Sequence, residues 1–194
     1  MPGQQARTAQ SERQARHQRL LAVEAACRQG DIDAFRAALG DPPGFPNGLL
    51  PAEFLGIGDT ALAIALTHAD AGLIRALLEQ GADPNAPAAD GFPSLIAAID
   101  RPRGDRHAVL ALLLEHGADT AQRGINDCTP LHHAVARRDL AALRLLLRHG
   151  ADPLARTRID DLTTPLEDAA AIGFEEAIGP LREAAVRMGM AALA

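Results

Sequence analysis

The tripeptide Gly81-Ala82-Asp83 returns as Gly117-Ala118-Asp119 and as Gly150-Ala151-Asp152, at separations of 36 and 33 residues. A second marker keeps step: Leu62, Leu95, Leu131 and Leu166 stand 33, 36 and 35 residues apart. A period of this length marks stacked units, each too small to bury its apolar face alone. Departures from the period locate insertions. Leucine to glycine spans 19 residues from Leu62 to Gly81 and from Leu131 to Gly150, but 22 from Leu95 to Gly117. Three extra residues therefore fall near Arg101 to Asp105. Glycine to the next leucine spans 14 residues twice and 16 from Gly150 to Leu166, so the last connection carries two more.

Each unit reads as a helix, a short turn, a second helix and an extended finger. In Thr129-Pro130-Leu131-His132, Thr129 suits the N-cap and Pro130 the first helical position, where its missing N–H costs nothing. Thr164-Pro165-Leu166-Glu167 repeats this and adds a capping box through Glu167. The second helices carry Leu77-Leu78, Leu112-Leu113-Leu114 and Leu145-Leu146-Leu147. Each then meets a glycine, at 81, 117 or 150, suited to the left-handed residue that ends a helix.

These residues resemble the ankyrin repeat family, whose signature T-P-L-H-x-A is matched in full by Thr129, Pro130, Leu131, His132 and Ala134. The resemblance implies an all-α solenoid of about five helix-turn-helix repeats with β-hairpin-like finger loops. The units fall at about 20–55, 56–87, 88–123, 124–156 and 157–185, together a repeat domain over 20–185. An Arg- and Gln-rich extension, 1–19, reads as a frayed helix or disorder, and 186–194 as a tail. Some positions depart from the signature. Pro93-Ser94 replaces Thr-Pro, and Thr60-Ala61-Leu62-Ala63 lacks both the proline and the histidine. Pro180 is expected to kink or restart the last helix. The connection 41–56, rich in proline and glycine, exceeds the usual one by about six residues.

The resemblance also implies non-catalytic binding of another protein through a concave face and the fingers. Transferred position by position, the finger sites are Ile57, Asp59, Asp90, Phe92, Ile125, Asn126 and Cys128. The inner-helix sites are Thr67, His68, Asp100, Arg101, Ala136 and Arg137. The 41–56 loop adds Phe45, Leu49, Leu50 and Phe54 as apolar anchors, or as side chains folded back onto the first repeats. His132 is expected to bond between neighbouring fingers.

Composition narrows the chemistry. The chain has 194 residues with 41 Ala and 27 Leu, which suits closely packed helices. All 19 basic residues are Arg, and the absence of Lys excludes a P-loop and Lys-based covalent catalysis. A net charge of -6 with 5 Phe and no Tyr or Trp argues against nucleic acid. Cys27 and Cys128 have neither disulfide-framework nor zinc spacing and read as free thiols. No stretch of 18 uninterrupted apolar residues and no signal-peptide pattern occurs, so no membrane contact is expected. The expectation is a cytoplasmic protein, monomeric when unbound, from a GC-rich and hence bacterial genome.

Seven His residues invite a metal, but none has a His, Asp or Glu four residues on. His116 and His149 precede their glycines, where they suit the last carbonyls of a helix. No catalytic, metal or cofactor residue is assigned. An immunity protein or inhibitor blocking a basic toxin or enzyme, and a host-directed effector, are alternative roles of the same scaffold. A metalloenzyme built on His132 and His133 ranks below them.

Overall fold

The computed structural model describes residues 2–50, 59–88, 90–124, 127–159 and 162–189. The described residues form ten helices and no β-strand. By contacts the chain divides into two compact units, residues 1–89 and 90–194.

The first unit holds α1 (Pro2–Gln29), α2 (Ile32–Ala38), α3 (Ala61–His68) and α4 (Ala71–Glu79). α1 pairs with α2 and α3 with α4; α1 then lies on α3 and α2 on α4. The second unit holds α5 (Ser94–Asp100), α6 (Arg106–Glu115), α7 (Pro130–Ala136), α8 (Leu140–Arg148), α9 (Pro165–Ala171) and α10 (Glu175–Arg187). Its pairs are α5 with α6, α7 with α8 and α9 with α10. The first helices stack in the order α5, α7, α9, and the second helices in the order α6, α8, α10. This is the paired packing of an ankyrin-repeat stack of about five units.

Most of these helices are seven to ten residues long, too short to persist in water on their own. Burial holds them. Leu73, Leu77, Leu110, Leu113, Leu143 and Leu146 are fully enclosed between layers. Each such side chain contributes about 1.5–3 kcal/mol.

The starts follow the sequence closely. Thr60, Thr129 and Thr164 each accept the amide of the third helical residue, with capping boxes at the latter two. At α5 the N-cap is Pro93, which makes no side-chain cap. The ends follow it too. Gly81, Gly117 and Gly150 take φ of 87°, 84° and 84°. That turn lets Ala82, Ala118 and Ala151 donate back to the carbonyls of Leu77, Leu113 and Leu146. His116 Nδ1 sits 2.9 Å from the Leu112 carbonyl, as its place before Gly117 predicts.

At Pro180 one of the two expected outcomes, a restart of the helix, does not occur: α10 runs through it. Ala177, Leu181, Ala184 and Ala185 are buried along one face and hold the helix, and the Glu176 residue whose carbonyl loses a donor is exposed. The N-terminal segment is helical, continuous with the first repeat helix as α1. Among the described finger residues none is in a strand, and two fingers are closed by Gly124 N–H to the Cys128 carbonyl and by Thr157 N–H to the Thr163 carbonyl.

Candidate functional site

The long first connection is pinned by one side chain. Asn47 donates through Nδ2 to the Gly81 carbonyl at 2.9 Å and accepts the Asp83 amide through Oδ1 at 2.7 Å. Both carboxamide ends are thus used on the neighbouring repeat, and Leu50 N–H donates to the Asp59 carbonyl. The result sorts the apolar residues. Leu50 is 3% exposed and belongs to the core, which corrects its expected place among the surface anchors. Phe45 is half-buried, with the Arg36 guanidinium 5.5 Å from its ring centre. Leu49 is 64% exposed. Phe54 and Ile57 lie outside the described residues.

Asp59, Thr67 and His68 lie together on the α3 side of a cavity of about 470 Å³, with Ala63 and Ile64. Its other wall is α1, through Arg13, Arg16, His17 and Leu20. The α1 wall was not among the expected sites. Its spacing of three, one and three residues is a helical stripe and was open to recognition, since i, i+3, i+4 and i+7 share a face.

In the second unit, Asp90 is exposed and its carboxylate accepts the Phe92 amide at 2.9 Å, fixing a tight turn under the half-buried Phe92. Ile125 and Asn126, the tip of the next finger, lie outside the described residues. Cys128 beside them is half-buried. Arg101 departs from expectation: it is 3% exposed. Its Nε and Nη2 donate to Asp105 at 3.1 and 3.0 Å, bracing the connection that carries the three extra residues. Arg137 is exposed and pairs through Nε with Asp100 at 2.7 Å. His133 Nε2 comes within 2.9 Å of the same carboxylate, but off the line of a hydrogen bond. Burial pushes the Asp100 pKa up, but Arg137 and His133 together outweigh it and hold it below the usual carboxylate value. Ala136 is exposed beside them.

Polar side chains that could carry chemistry instead join repeats. His132 is buried between Thr129 Oγ1, 2.8 Å from Nδ1, and the Thr163 carbonyl, 3.1 Å from Nε2. Burial, the largest influence, lowers its pKa and keeps the ring neutral. Asp127, in the finger before α7, receives Arg158 from the next finger at 2.7 Å and Arg123 at 3.1 Å. Arg158 above all holds the Asp127 carboxyl below its ordinary value. Asp139 caps α8 through the Ala142 amide and takes His107 at 2.8 Å and Arg106 at 3.1 Å from α6. Sequence reasoning anticipated the His132 bond between fingers but missed the latches of Asp127 with Arg158 and of Asp139 with His107 and Arg106, because those partners are about one period apart and no local motif joins them. Among the described residues no group of three or more His, Cys, Asp or Glu is placed to hold a metal ion. Nor is any described helix long and apolar enough to cross a membrane.

Comparison with known families agrees with this architecture. The family described as ankyrin repeats (3 copies) matches residues 95–186, and the single ankyrin repeat matches residues 57–89. Comparison with curated proteins gives no match. With the signature in the sequence, paired helices in both units and family matches spread along most of its length, the chain belongs to the ankyrin repeat family.

Proposed function

We propose that the chain is a non-catalytic module that binds another protein through its finger loops and its inner helices. Ankyrin repeats are generally protein–protein interaction modules, and this chain carries them over most of its length. The single observation that supports the reading most is Leu49. It is a large apolar side chain, 64% exposed, on a loop fixed at both sides by Asn47 and Leu50. A backbone already fixed on either side of it loses little freedom on binding, so the apolar surface it presents converts efficiently into affinity. Exposed Asp90 and Arg137 and half-buried Phe92 supply polar and apolar contacts of the kind that select a partner. The polar groups best suited to acid–base chemistry, His132, Asp127 and Asp139, are occupied in caps and latches, which favours binding over catalysis.

The test is affinity capture with tagged wild type and Leu49→Asp, followed by binding of the purified captured protein to each. The expected result is one or more proteins held by wild type and lost by the variant at an unchanged melting temperature. Wild type that retains nothing reproducible, or a variant that retains the same set, overturns the reading.

A further inference from the structure

We infer that the groove between α1 and α3 binds an acidic segment of a partner protein, taking carboxylates and an apolar side chain together. The inference rests on the protein-binding reading and names the chemistry of what is bound. Arg13, Arg16 and His17 on α1 face His68 and Thr67 on α3 across the cavity, while Leu20, Ala63 and Ile64 supply apolar surface. Two guanidinium groups and two imidazoles thus meet one carboxylate, that of Asp59. Even with Asp59 offsetting one guanidinium, the lining stays positive. The whole chain carries a net charge of -6, so this is a local reversal of sign. Its field draws in carboxylates, and arginine binds them through two parallel N–H donors.

The size and lining narrow the ligand further. A volume of about 470 Å³ lies within the usual range of binding cavities, roughly 300–1,000 Å³, and admits one or two side chains but not a folded surface. Exposed Arg13, Arg16 and His17 beside the less exposed Leu20, Ala63 and Ile64 ask for an acidic and an apolar side chain side by side, as in a peptide. The scaffold supplies a reason for such a ligand to matter. α1 has 28 residues against 7–13 in the other described helices, and Gln10 to Gln18 are all exposed. A helix with so little packing is marginal in water. A peptide lying against both α1 and α3 adds the contacts that this stretch lacks.

The experiment screens an array of random 12-residue peptides with the full chain, wild type, Arg13→Glu/Arg16→Glu and Thr67→Glu. All three substitutions fall on exposed residues, and circular dichroism checks that both variants fold. Wild type is expected to select peptides with Asp or Glu beside Leu, Ile, Val or Phe. The two variants should lose that set, and a chosen peptide should bind each at least tenfold more weakly by fluorescence anisotropy. Binding of that peptide should also weaken as salt rises. Three results overturn the inference: no selection by wild type, the same peptides selected by wild type and variants, or full displacement by inorganic phosphate at constant ionic strength, which would mark a small-anion site. In each case the Leu49 capture experiment still decides the protein-binding reading separately.

Discussion

His132 Nε2 lies 3.1 Å from the carbonyl oxygen of Thr163, a residue 31 positions further along the chain. That distance identifies the tautomer. A carbonyl can only accept, so Nε2 carries the proton, and Nδ1 is left to accept from the Thr129 hydroxyl and amide. One neutral ring therefore caps its own helix and fastens the next finger.

The sign of the resulting pH dependence follows. Burial lowers the folded pKa of His132 below its ordinary value of 6.5, so the unfolded chain takes up this proton first as pH falls. The contribution is complete above about pH 6.5 and is lost as pH falls from there through the folded value. Urea unfolding from pH 7.5 to 5.5 should show wild type losing stability, and His132→Gln losing less over the same interval. At pH 7.5, His132→Ala should cost about 2–3 kcal/mol by removing buried hydrogen bonds and packing. Equal pH slopes in wild type and His132→Gln would count against this account.

Asp139 separates a cap from an ion pair. Its carboxylate accepts the Ala142 amide and also faces His107 and Arg106. Burial raises its pKa, but the Ala142 amide, His107 and Arg106 outweigh this and set it below the usual carboxylate value. Its stabilisation is therefore present above about pH 4 and lost as pH falls further, a window below that of His132. Asp139→Ala should cost about 1–2 kcal/mol at neutral pH, and Asp139→Asn distinctly less because the amide oxygen still caps. Equal losses by chemical denaturation would place the stabilisation in the ion pair instead.

Arg138 holds a left-handed φ of 52°, the conformation glycine takes at Gly173 one repeat on, where φ is 65°. It is kept there by what its guanidinium does. It donates to the Ile172 and Gly173 carbonyls at 2.9 and 3.0 Å and lies 5.2 Å from the centre of the Phe174 ring. Arg138→Ala loses these contacts and keeps the unfavourable φ, so it should cost about 1–2 kcal/mol. Arg138→Gly loses the same contacts but relieves the backbone, and should be the more stable of the two by up to about 1 kcal/mol. The reverse order in thermal unfolding would refute the backbone argument.

The missing cap at α5 can be supplied. Pro93 has φ of -57° and ψ of 148°, close to the extended geometry of the threonine caps. Pro93→Thr should stabilise by about 0.5–1 kcal/mol, or about 2–4 °C for each kcal/mol in a chain of this size. An unchanged or lowered melting temperature would mean that the lost proline packing outweighs the new cap.

The first connection gives a final contrast. Leu49→Ser should change stability by less than about 0.5 kcal/mol because the side chain is exposed. Phe45→Ser should cost about 1–2 kcal/mol through lost packing and lost contact with Arg36. Equal effects on the melting temperature would show that the two residues share one environment.

The repeat, its caps and its glycine stops were legible before any coordinates because they are local. A threonine two residues before Leu62, Leu131 and Leu166, or a glycine after a leucine run, acts within one turn of helix, so spacing alone reveals it. The same locality placed the extra residues near Arg101 to Asp105. Which side chains face outward was not legible. Leu49 and Leu50 are adjacent and chemically alike, yet one is exposed and the other buried, because Asn47 fixes the loop against a repeat 34 residues away. Arg101 reads as a surface charge until Asp105 folds back to meet it. The latches of Asp127 with Arg158 and Asp139 with His107, and the groove shared by α1 and α3, exist only once neighbouring repeats are stacked. Sequence determined the period and the helix ends through short-range hydrogen bonding; tertiary packing decided burial, charge pairing and the shape of the surface, since those depend on residues about one period apart.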